Sequence, residues 1–203
     1  MNGAMSDVPL PPFNDLSSPA ALLATRRSGR AREMVEPGPD AASLEAIVAS
    51  AIRVPDHGKL APWRWVEIVD RDAFAALLQR AHRAAHGGIV QGEDRIAIDK
   101  FARAAPTALA LIASPQRSSK IPEWEQLLSV GASAMQLLDA AHARGFVGNW
   151  LTGWASYDPT VAAGLGVGEG ERIAGFFFIG TPSAPLEERP RPALADRFTR
   201  WTG

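Results

Sequence analysis

The stretch RIAGFFFIGTP, residues 172–182, is the most convincing strand pattern in the chain, because aromatic and β-branched residues fill its centre. A second stretch, TALALIAS at 107–114, is a short apolar run of the kind found in strands that are buried on both faces. WRWVEIVD at 63–70 and FVGNWLTG at 146–153 are two further strand candidates. The sequence therefore predicts a sheet with at least one strand covered on both sides.

Helical patterns lie between these strands. Ser18 and Asp158 each precede a proline, as an N-cap does when proline occupies the first helical position, and they predict two short helices. Amphipathic spacing predicts longer helices at about 40–53, stopped by Pro55, and at 71–88, ended by Gly87. The polar stretch 92–106 is predicted to be helical in part.

The longest predicted helix covers about residues 122–144 and ends at Gly145. Apolar and small residues occupy nearly its whole circumference, so the helix is expected to be buried on several sides, in a large core or against a second subunit. Strands and helices intermix, with no internal repeat and no clear linker. The sequence predicts one α+β domain at 18–203 after an irregular, proline-rich arm at 1–17.

Composition excludes several classes of function. The chain has 203 residues, 46% of them hydrophobic, with a net charge of −1, so no broad basic field favours nucleic acid or an anionic membrane. It has no cysteine, which excludes disulfides, thiolate metal sites and cysteine nucleophiles. The N-terminus lacks the pattern of a signal peptide, and no apolar run is long enough to span a bilayer. We expect a soluble, cytoplasmic protein.

Common site motifs are also missing. The glycines of GLGVGEGE at 164–171 alternate, which does not fit a dinucleotide-binding loop, and GASAM at 131–135 lacks the second glycine of a nucleophile elbow. His82 and His86 are four residues apart, yet the zinc-protease glutamate is absent between them. They fit cations near a helix C-terminus better than a metal pair. We expect no metal site.

Three clusters remain that could hold a phosphorylated planar ring. RRSGR at 26–30 offers guanidinium groups and a hydroxyl for a phosphate, although taken alone it also fits a solvated basic loop. IRVPDHGKLAPWRW at 52–65 places cations, an imidazole and indoles around a turn that needs none of them. NWLTG at 149–153 is the third cluster.

Several motifs follow one another along the chain: RRS at 26–28, RVPDHG at 53–58, PWRW at 62–65, AIDKFARAAP at 97–106, IPEWEQ at 121–126, AAHARGF at 140–146, NWLTG at 149–153 and GFFFIGTP at 175–182. In their order and spacing they resemble the nitroreductase family of FMN-dependent oxidoreductases, most closely its short YdjA-like branch of NAD(P)H nitroreductases. The resemblance runs from about Leu22 to the C-terminal tail. It implies a three-layer α+β fold with a central mixed or antiparallel sheet between helices, and a homodimer with FMN at the subunit interface.

The resemblance also implies the residues that contact FMN, which are Arg26, Arg27, Ser28, Arg53, His57, Trp150, Leu151 and Thr152. The last three match a family segment that lines the flavin, but Leu151 stands where the family has an arginine. Contact through the backbone and Thr152 survives this change, whereas a charge near the cofactor is lost. Lys59 and Arg64 are interpreted as surface charges.

The branch further implies NAD(P)H contacts from the segment Ala140, Ala141, His142, Ala143, Arg144 and Gly145. As the last turn of a buried helix, this segment also fits plain packing, with His142 a hydrogen-bonded core residue. The tail arginines Arg189, Arg191 and Arg197 could reach a phosphate in either subunit. Trp63, Trp65 and Trp124 could line the pocket, but core packing is the favoured interpretation for each.

The activity implied is ping-pong hydride transfer from NAD(P)H through FMN to a nitroaromatic, a quinone or a similar small acceptor. The cofactor carries this chemistry, so no catalytic side chain is required. Two alternatives stay open. One is a specialised flavin reaction on the same fold, such as dehalogenation. The other is an FMN-binding or storage protein with little turnover, for which Leu151 leaves room.

Overall fold

The computed structural model describes residues 13–203, so most of the predicted N-terminal arm lies outside the described residues. The helices are α1 (Pro19–Thr25), α2 (Ala41–Ala51), α3 (Arg71–His86), α4 (Gly92–Ala102), α5 (Glu123–His142) and α6 (Pro159–Gly164). The strands are β1 (Met34–Val35), β2 (Trp63–Glu67), β3 (Thr107–Ala113), β4 (Val147–Leu151) and β5 (Arg172–Pro182). All four predicted strands and every predicted helix are present.

β5 organises the sheet. It pairs with β1, β3 and β4, while β2 pairs with β3, and each of these pairs is antiparallel. Of the two sheet types that the family resemblance allows, the antiparallel one is therefore found among the described residues. The register between β3 and β5 shifts next to Gly175, where the chain forms a bulge.

The run of apolar residues in β5 is explained by helices on both faces of the sheet. Phe176 and Phe178 pack with α3, α4 and α6, whereas Phe177 and Ile179 pack with α2 and α5. Alternate residues of a strand point to opposite faces, so a strand covered on both sides needs no polar position. The three-layer α+β fold is confirmed.

The helix ends follow the capping signals in the sequence. The side chains of Ser18, Asp40, Asp70 and Asp158 each accept a hydrogen bond from a backbone N–H in the first turn of their helix. Gly87 closes α3 in the left-handed conformation, with φ of 66°. The helix α5 ends at His142, three residues before the predicted stop at Gly145, because the chain turns towards β4 immediately after it.

α5 is only partly buried within one chain. Trp124 is 70% exposed and Leu128 is 54% exposed, and both lie on one side of the helix together with the half-buried Met135. Core packing is confirmed for Trp63 and Trp65 but is wrong for Trp124. An apolar stripe of this length on a monomer is typical of a protein interaction surface.

No helix among residues 13–203 has the length and apolar character needed to cross a membrane.

Candidate functional site

The loop after α1 places Arg26, Arg27 and Ser28 together at the base of the C-terminal tail. Arg26 Nη1 donates a hydrogen bond of 3.3 Å to Ser28 Oγ, and both side chains are half-buried. Arg27 instead anchors the tail, since its Nε donates to the carbonyl of Glu187 and its Nη1 to the carbonyl of Ser28. The guanidinium of Arg26 therefore keeps most of its donors free of protein acceptors within the described residues.

Positive charge accumulates around Arg26. Burial lowers the pKa of its guanidinium, the carboxylate of Asp139 opposes that shift, and the charges of Arg191 and Arg27 lower the pKa further. Burial also raises the pKa of Asp139, whose Oδ1 has no hydrogen-bond partner. The charges of Arg27 and Arg191 thus act on Arg26, and Asp139 is the carboxylate that opposes them. The sequence suggested Arg191 only through its charge and position, and the fold brings it near Arg26.

His142 fixes the start of β4 from the end of α5. It is fully buried, and its Nε2 accepts a hydrogen bond of 3.0 Å from the backbone N–H of Gly148. Burial first, and then the charge of Arg26, lowers the pKa of His142 to about 4, so the imidazole is neutral. The interpretation of His142 as a hydrogen-bonded core residue is confirmed.

We expect this buried imidazole to make folding sensitive to mild acid. The unfolded chain takes up a proton near the ordinary value of 6.5, while the folded protein resists it down to a pKa of about 4. Stability from the neutral form is complete above pH 6.5 and is lost as the pH falls towards 4. Urea unfolding should show that the contribution of His142 to the free energy of unfolding is about 2 kcal/mol smaller at pH 5 than at pH 7. His142→Gln should remove that loss, and exposed His57→Ala should retain it; an unchanged pH dependence in His142→Gln would refute the assignment.

Successive side chains at the end of β4 lie in different surroundings. Trp150 stacks on Phe177 at 5.3 Å on the α5 side, and its Nε1 donates to the carbonyl of Ala174. Leu151 packs against the core under α3, α4 and α6. Thr152 is exposed and lines a cavity of about 420 Å³. The side chain at the position of the family arginine is therefore an uncharged, partly buried leucine that packs against the core.

A strained turn presents Arg53 and His57. Gly58, Lys59 and Ala61 all have positive φ, at 77°, 57° and 46°, and the carboxylate of Asp56 holds the turn by accepting from the N–H groups of Leu60 and Ala61. Left-handed non-glycine residues are costly and gather at functional sites. His57 Nδ1 lies 2.7 Å from Glu125 Oε2 on α5, and Arg53 is exposed. Prolines and glycine thus serve to build a rigid turn.

The two tryptophans that follow the turn support the core. Trp65 contacts the edge of Phe177 at 4.9 Å and donates to Ser133 Oγ. Arg64 is engaged by Glu171, whose carboxylate accepts from Arg64 Nε at 3.1 Å and Nη2 at 2.8 Å. Arg64 is thus explained by Glu171 and His57 contacts Glu125, which leaves Arg53 and Lys59 as the exposed cations of this segment.

One chain does not bring all predicted FMN contacts together. His57 touches Glu125 near the start of α5, whereas Arg26 lies by Asp139 near its end. Fourteen residues of helix separate these carboxylates, or about 21 Å along the axis at the usual rise per residue. The predicted FMN contacts therefore fall into separate groups, called half-sites below: Arg26 with Ser28, and Arg53 with His57.

The segment predicted to bind NAD(P)H divides into a buried and an exposed part. Ala140, Ala141 and His142 are buried, while Ala143, Arg144 and Gly145 are exposed beyond the helix end. Any contact with a nucleotide would therefore use the last three residues. NAD(P)H binding here stays a prediction.

Sequence reasoning missed two polar residues beside the Arg26 half-site. Asp139 was hidden inside an apolar helix pattern. Asn149 lies within the NWLTG motif, and its Nδ2 donates to the carbonyl of Gly29 at 2.6 Å, while its Oδ1 is buried without a partner. A polar residue that interrupts a strand of otherwise apolar character was the available signal for Asn149.

The sequence of the chain matches a known protein family. Residues 23–181 match the model of the Nitroreductase family. The chain belongs to the nitroreductase family. It is 36% identical over 166 residues to "Putative NAD(P)H nitroreductase YdjA" of Escherichia coli K12, which covers 79% of this chain and 86% of that protein.

Solved structures of the nitroreductase fold agree with the architecture. The Nitroreductase-like Family Protein from Bacillus cereus has a TM-score of 0.77 and 21% identity, covering 92% of this chain and 97% of the other. A variant of the FMN and NADPH-dependent nitroreductase NfnB from Sphigopyxis sp. strain HMH has a TM-score of 0.66 and 25% identity. The similarity covers 89% of this chain and 97% of NfnB. The first of these similarities concerns the fold alone.

Proposed function

We propose that this nitroreductase-family chain is an NAD(P)H oxidoreductase that uses FMN to reduce a nitroaromatic, a quinone or a similar small acceptor. The observation that carries the proposal is the positive charge beside Ser28, where Arg26 donates to Ser28 Oγ and lies within the electrostatic influence of Arg27 and Arg191. Such a surplus of positive charge beside a hydroxyl fits a phosphate dianion. The names of YdjA and NfnB support a nicotinamide donor and, for NfnB, FMN.

Arg26 and Ser28 would hold the phosphate of FMN, and the backbone of Leu151 with Thr152 would line its ring. When bound, FMN supplies hydride transfer between a nicotinamide and an acceptor. Arg53 and His57 would donate hydrogen bonds to the polar edge of the ring and stabilise negative charge there. Because the uncharged Leu151 stands where the family has an arginine, these donors would be the main electrostatic influence of the protein on the flavin ring.

A homodimer would unite the two half-sites. The exposed apolar stripe of α5, with Trp124 and Leu128, is a surface that a second copy would cover. In a two-fold dimer the same surface meets itself, and the two helices are antiparallel when the symmetry axis is perpendicular to α5. The start of one α5 would then lie near the end of the other, and Arg53 and His57 of the partner subunit would approach the Arg26 half-site. The exposed tail residues Leu194, Phe198 and Trp201 provide additional apolar surface for the partner.

The absorption spectrum of the purified protein, followed by anaerobic addition of NADPH and then NADH, tests the proposal. We expect flavin bands that bleach with at least one nucleotide and return when a nitroaromatic or quinone is added. The control is free FMN at the same concentration, since the protein must accelerate bleaching beyond it. No flavin binding after reconstitution would contradict the FMN proposal. The expected cytoplasmic location stays a prediction.

One observation favours a second candidate. The burial of Leu151 leaves no cation at the family arginine position, which could reduce turnover without preventing binding. A storage protein would retain FMN but would oxidise NAD(P)H no faster than free flavin does. A specialised reaction such as dehalogenation would give bleaching by nucleotide with poor turnover of generic acceptors.

A further inference from the structure

A cavity of about 420 Å³ lies between α3, α4 and the loop after β4. Its walls are largely aromatic or aliphatic and include Leu78, Ile98, Phe101, Trp154 and Phe176. Small-molecule sites in proteins are typically concave and mostly apolar at this size, with a few polar groups that orient the ligand. The cavity is therefore large enough for a flat molecule of one or two rings.

The polar side chains of the cavity are His82, His86, Asp94 and Thr152. The imidazoles stack at 4.1 Å, and His86 Nδ1 lies 2.9 Å from the carbonyl of His82. A carbonyl only accepts, so Nδ1 is the donor of this hydrogen bond, and Nε2 is the ring nitrogen left to face a ligand. The carboxylate of Asp94, 3.7 Å from His82 Nε2, is the one permanent charge among the described residues that line the cavity.

These groups do not fit a metal site. His82, His86 and Asp94 do not form a cluster able to hold an ion, and residues 13–203 contain no other such group. A carboxylate and an acceptor nitrogen instead favour a ligand that donates hydrogen bonds and disfavour an anionic ligand. The apolar walls require the rest of that ligand to be a flat hydrocarbon surface.

We propose that this cavity binds a planar aromatic molecule with a hydrogen-bond donor on its edge, a phenol or an aromatic amine, and excludes aromatic carboxylates. His86 Nε2 and Asp94 accept from the donor, while Phe101, Trp154 and Phe176 contact the ring. Of the residues predicted to contact FMN, the cavity lining includes only Thr152. The cavity adjoins the proposed flavin site at Thr152, but its other lining residues come from α3, α4, the loop after β4 and Phe176, and the proposed binding involves no flavin chemistry.

Isothermal titration calorimetry at pH 8, on the protein as purified, tests the site with three naphthalenes. We expect 2-naphthol to bind about tenfold more tightly than 2-methoxynaphthalene, which has no donor, and 2-naphthoate to bind most weakly. His86→Ala should weaken 2-naphthol to the affinity of the methyl ether and leave the ether unchanged. Asp94→Asn should strengthen 2-naphthoate several-fold, because it removes the repelling charge.

Two further variants locate the ligand. Ala97→Trp places an indole in the cavity and should abolish binding of 2-naphthol, while Arg83→Ala, on the exposed side of α3, should bind as the wild type does. Circular dichroism and urea unfolding confirm that each variant is folded. Equal affinities for naphthol and its methyl ether, or unchanged binding in Ala97→Trp, would overturn the proposal. None of these measurements involves flavin reduction, so their failure is distinct from a failure of the proposed oxidoreductase function.

Discussion

Mixing two inactive variants should restore about a quarter of the FMN sites. Arg26→Glu removes the phosphate half-site, and the double change Arg53→Glu with His57→Ala removes the other half-site. Each variant alone should bind FMN more than about 100-fold more weakly, since an uncompensated charge reversal next to a phosphate or flavin edge costs about 3 kcal/mol or more. If each site uses both subunits, a mixed dimer carries one site with all the substitutions and one native site.

Random exchange of equal amounts produces half mixed dimers, which gives the quarter of native sites. FMN bound per chain, measured after mild unfolding and refolding of the mixture, checks this number. Arg80→Glu is the matched control, because it reverses an exposed arginine away from both half-sites and should bind FMN normally. If the mixture binds no more FMN than its components, the sites lie within single chains and the two-fold arrangement is wrong. If both variants retain normal binding, the half-sites are misassigned.

This test is needed because the sequence alone could not show that the half-sites are apart. The motifs RRSGR and RVPDHG were associated through family resemblance, whereas their positions at opposite ends of α5 depend on the contacts of His57 with Glu125 and Arg26 with Asp139. Contacts between residues far apart in sequence leave no periodic signal in the chain. The charged and polar neighbours Asp139 and Asn149 were missed for the same reason.

The elements were readable because their causes are local. β5 and β3 are apolar at nearly every position since both faces are covered, and the caps Asp40 and Asp70 mark their helices directly. Pairing of β5 with β1, β3 and β4 is a long-range property that no single stretch specifies. The two-residue strand β1 has no pattern to detect. The positive φ angles of Lys59 and Ala61 are likewise imposed by the surrounding fold, since neither residue type favours them.

The exposed Trp124 shows where an apolar pattern was misjudged. A helix that is apolar around its circumference was expected to be buried, and the α5 face that packs on β3 and β5 is. The remaining face would be covered only by another copy of the chain. An apolar pattern in a helix looks the same whether its residues pack in the core of one chain or at an interface between chains, so the sequence cannot distinguish the two.

Replacing Gly175 by alanine should disrupt the end of β4. A Cβ at this bulge would lie 2.1 Å from Trp150 Nε1 and 2.6 Å from Trp150 Cδ1, with the carbonyl of Leu151 at 3.1 Å. The indole must therefore move, which breaks its hydrogen bond to the carbonyl of Ala174 and its stacking on Phe177. Overpacking together with one lost hydrogen bond should lower the free energy of unfolding by about 2–4 kcal/mol. Urea unfolding measures the loss, and near-ultraviolet circular dichroism reports the displaced indole.

A double-mutant cycle shows whether the clash with Trp150 is the cause. Trp150→Leu shortens the side chain, so Gly175→Ala should cost less in that background, with a coupling of more than about 1 kcal/mol. The cost that remains belongs to the backbone, because Gly175 has φ of 157° and the Leu151 carbonyl stays 3.1 Å from the new Cβ. Gly92→Ala is the matched control, since a Cβ there meets open space, and it should leave stability nearly unchanged. Additive effects of Gly175→Ala and Trp150→Leu would mean that the bulge needs glycine for its backbone rather than for the indole. Because Thr152 is only two residues beyond Trp150, the same displacement should weaken FMN binding in Gly175→Ala even under conditions where the variant is fully folded.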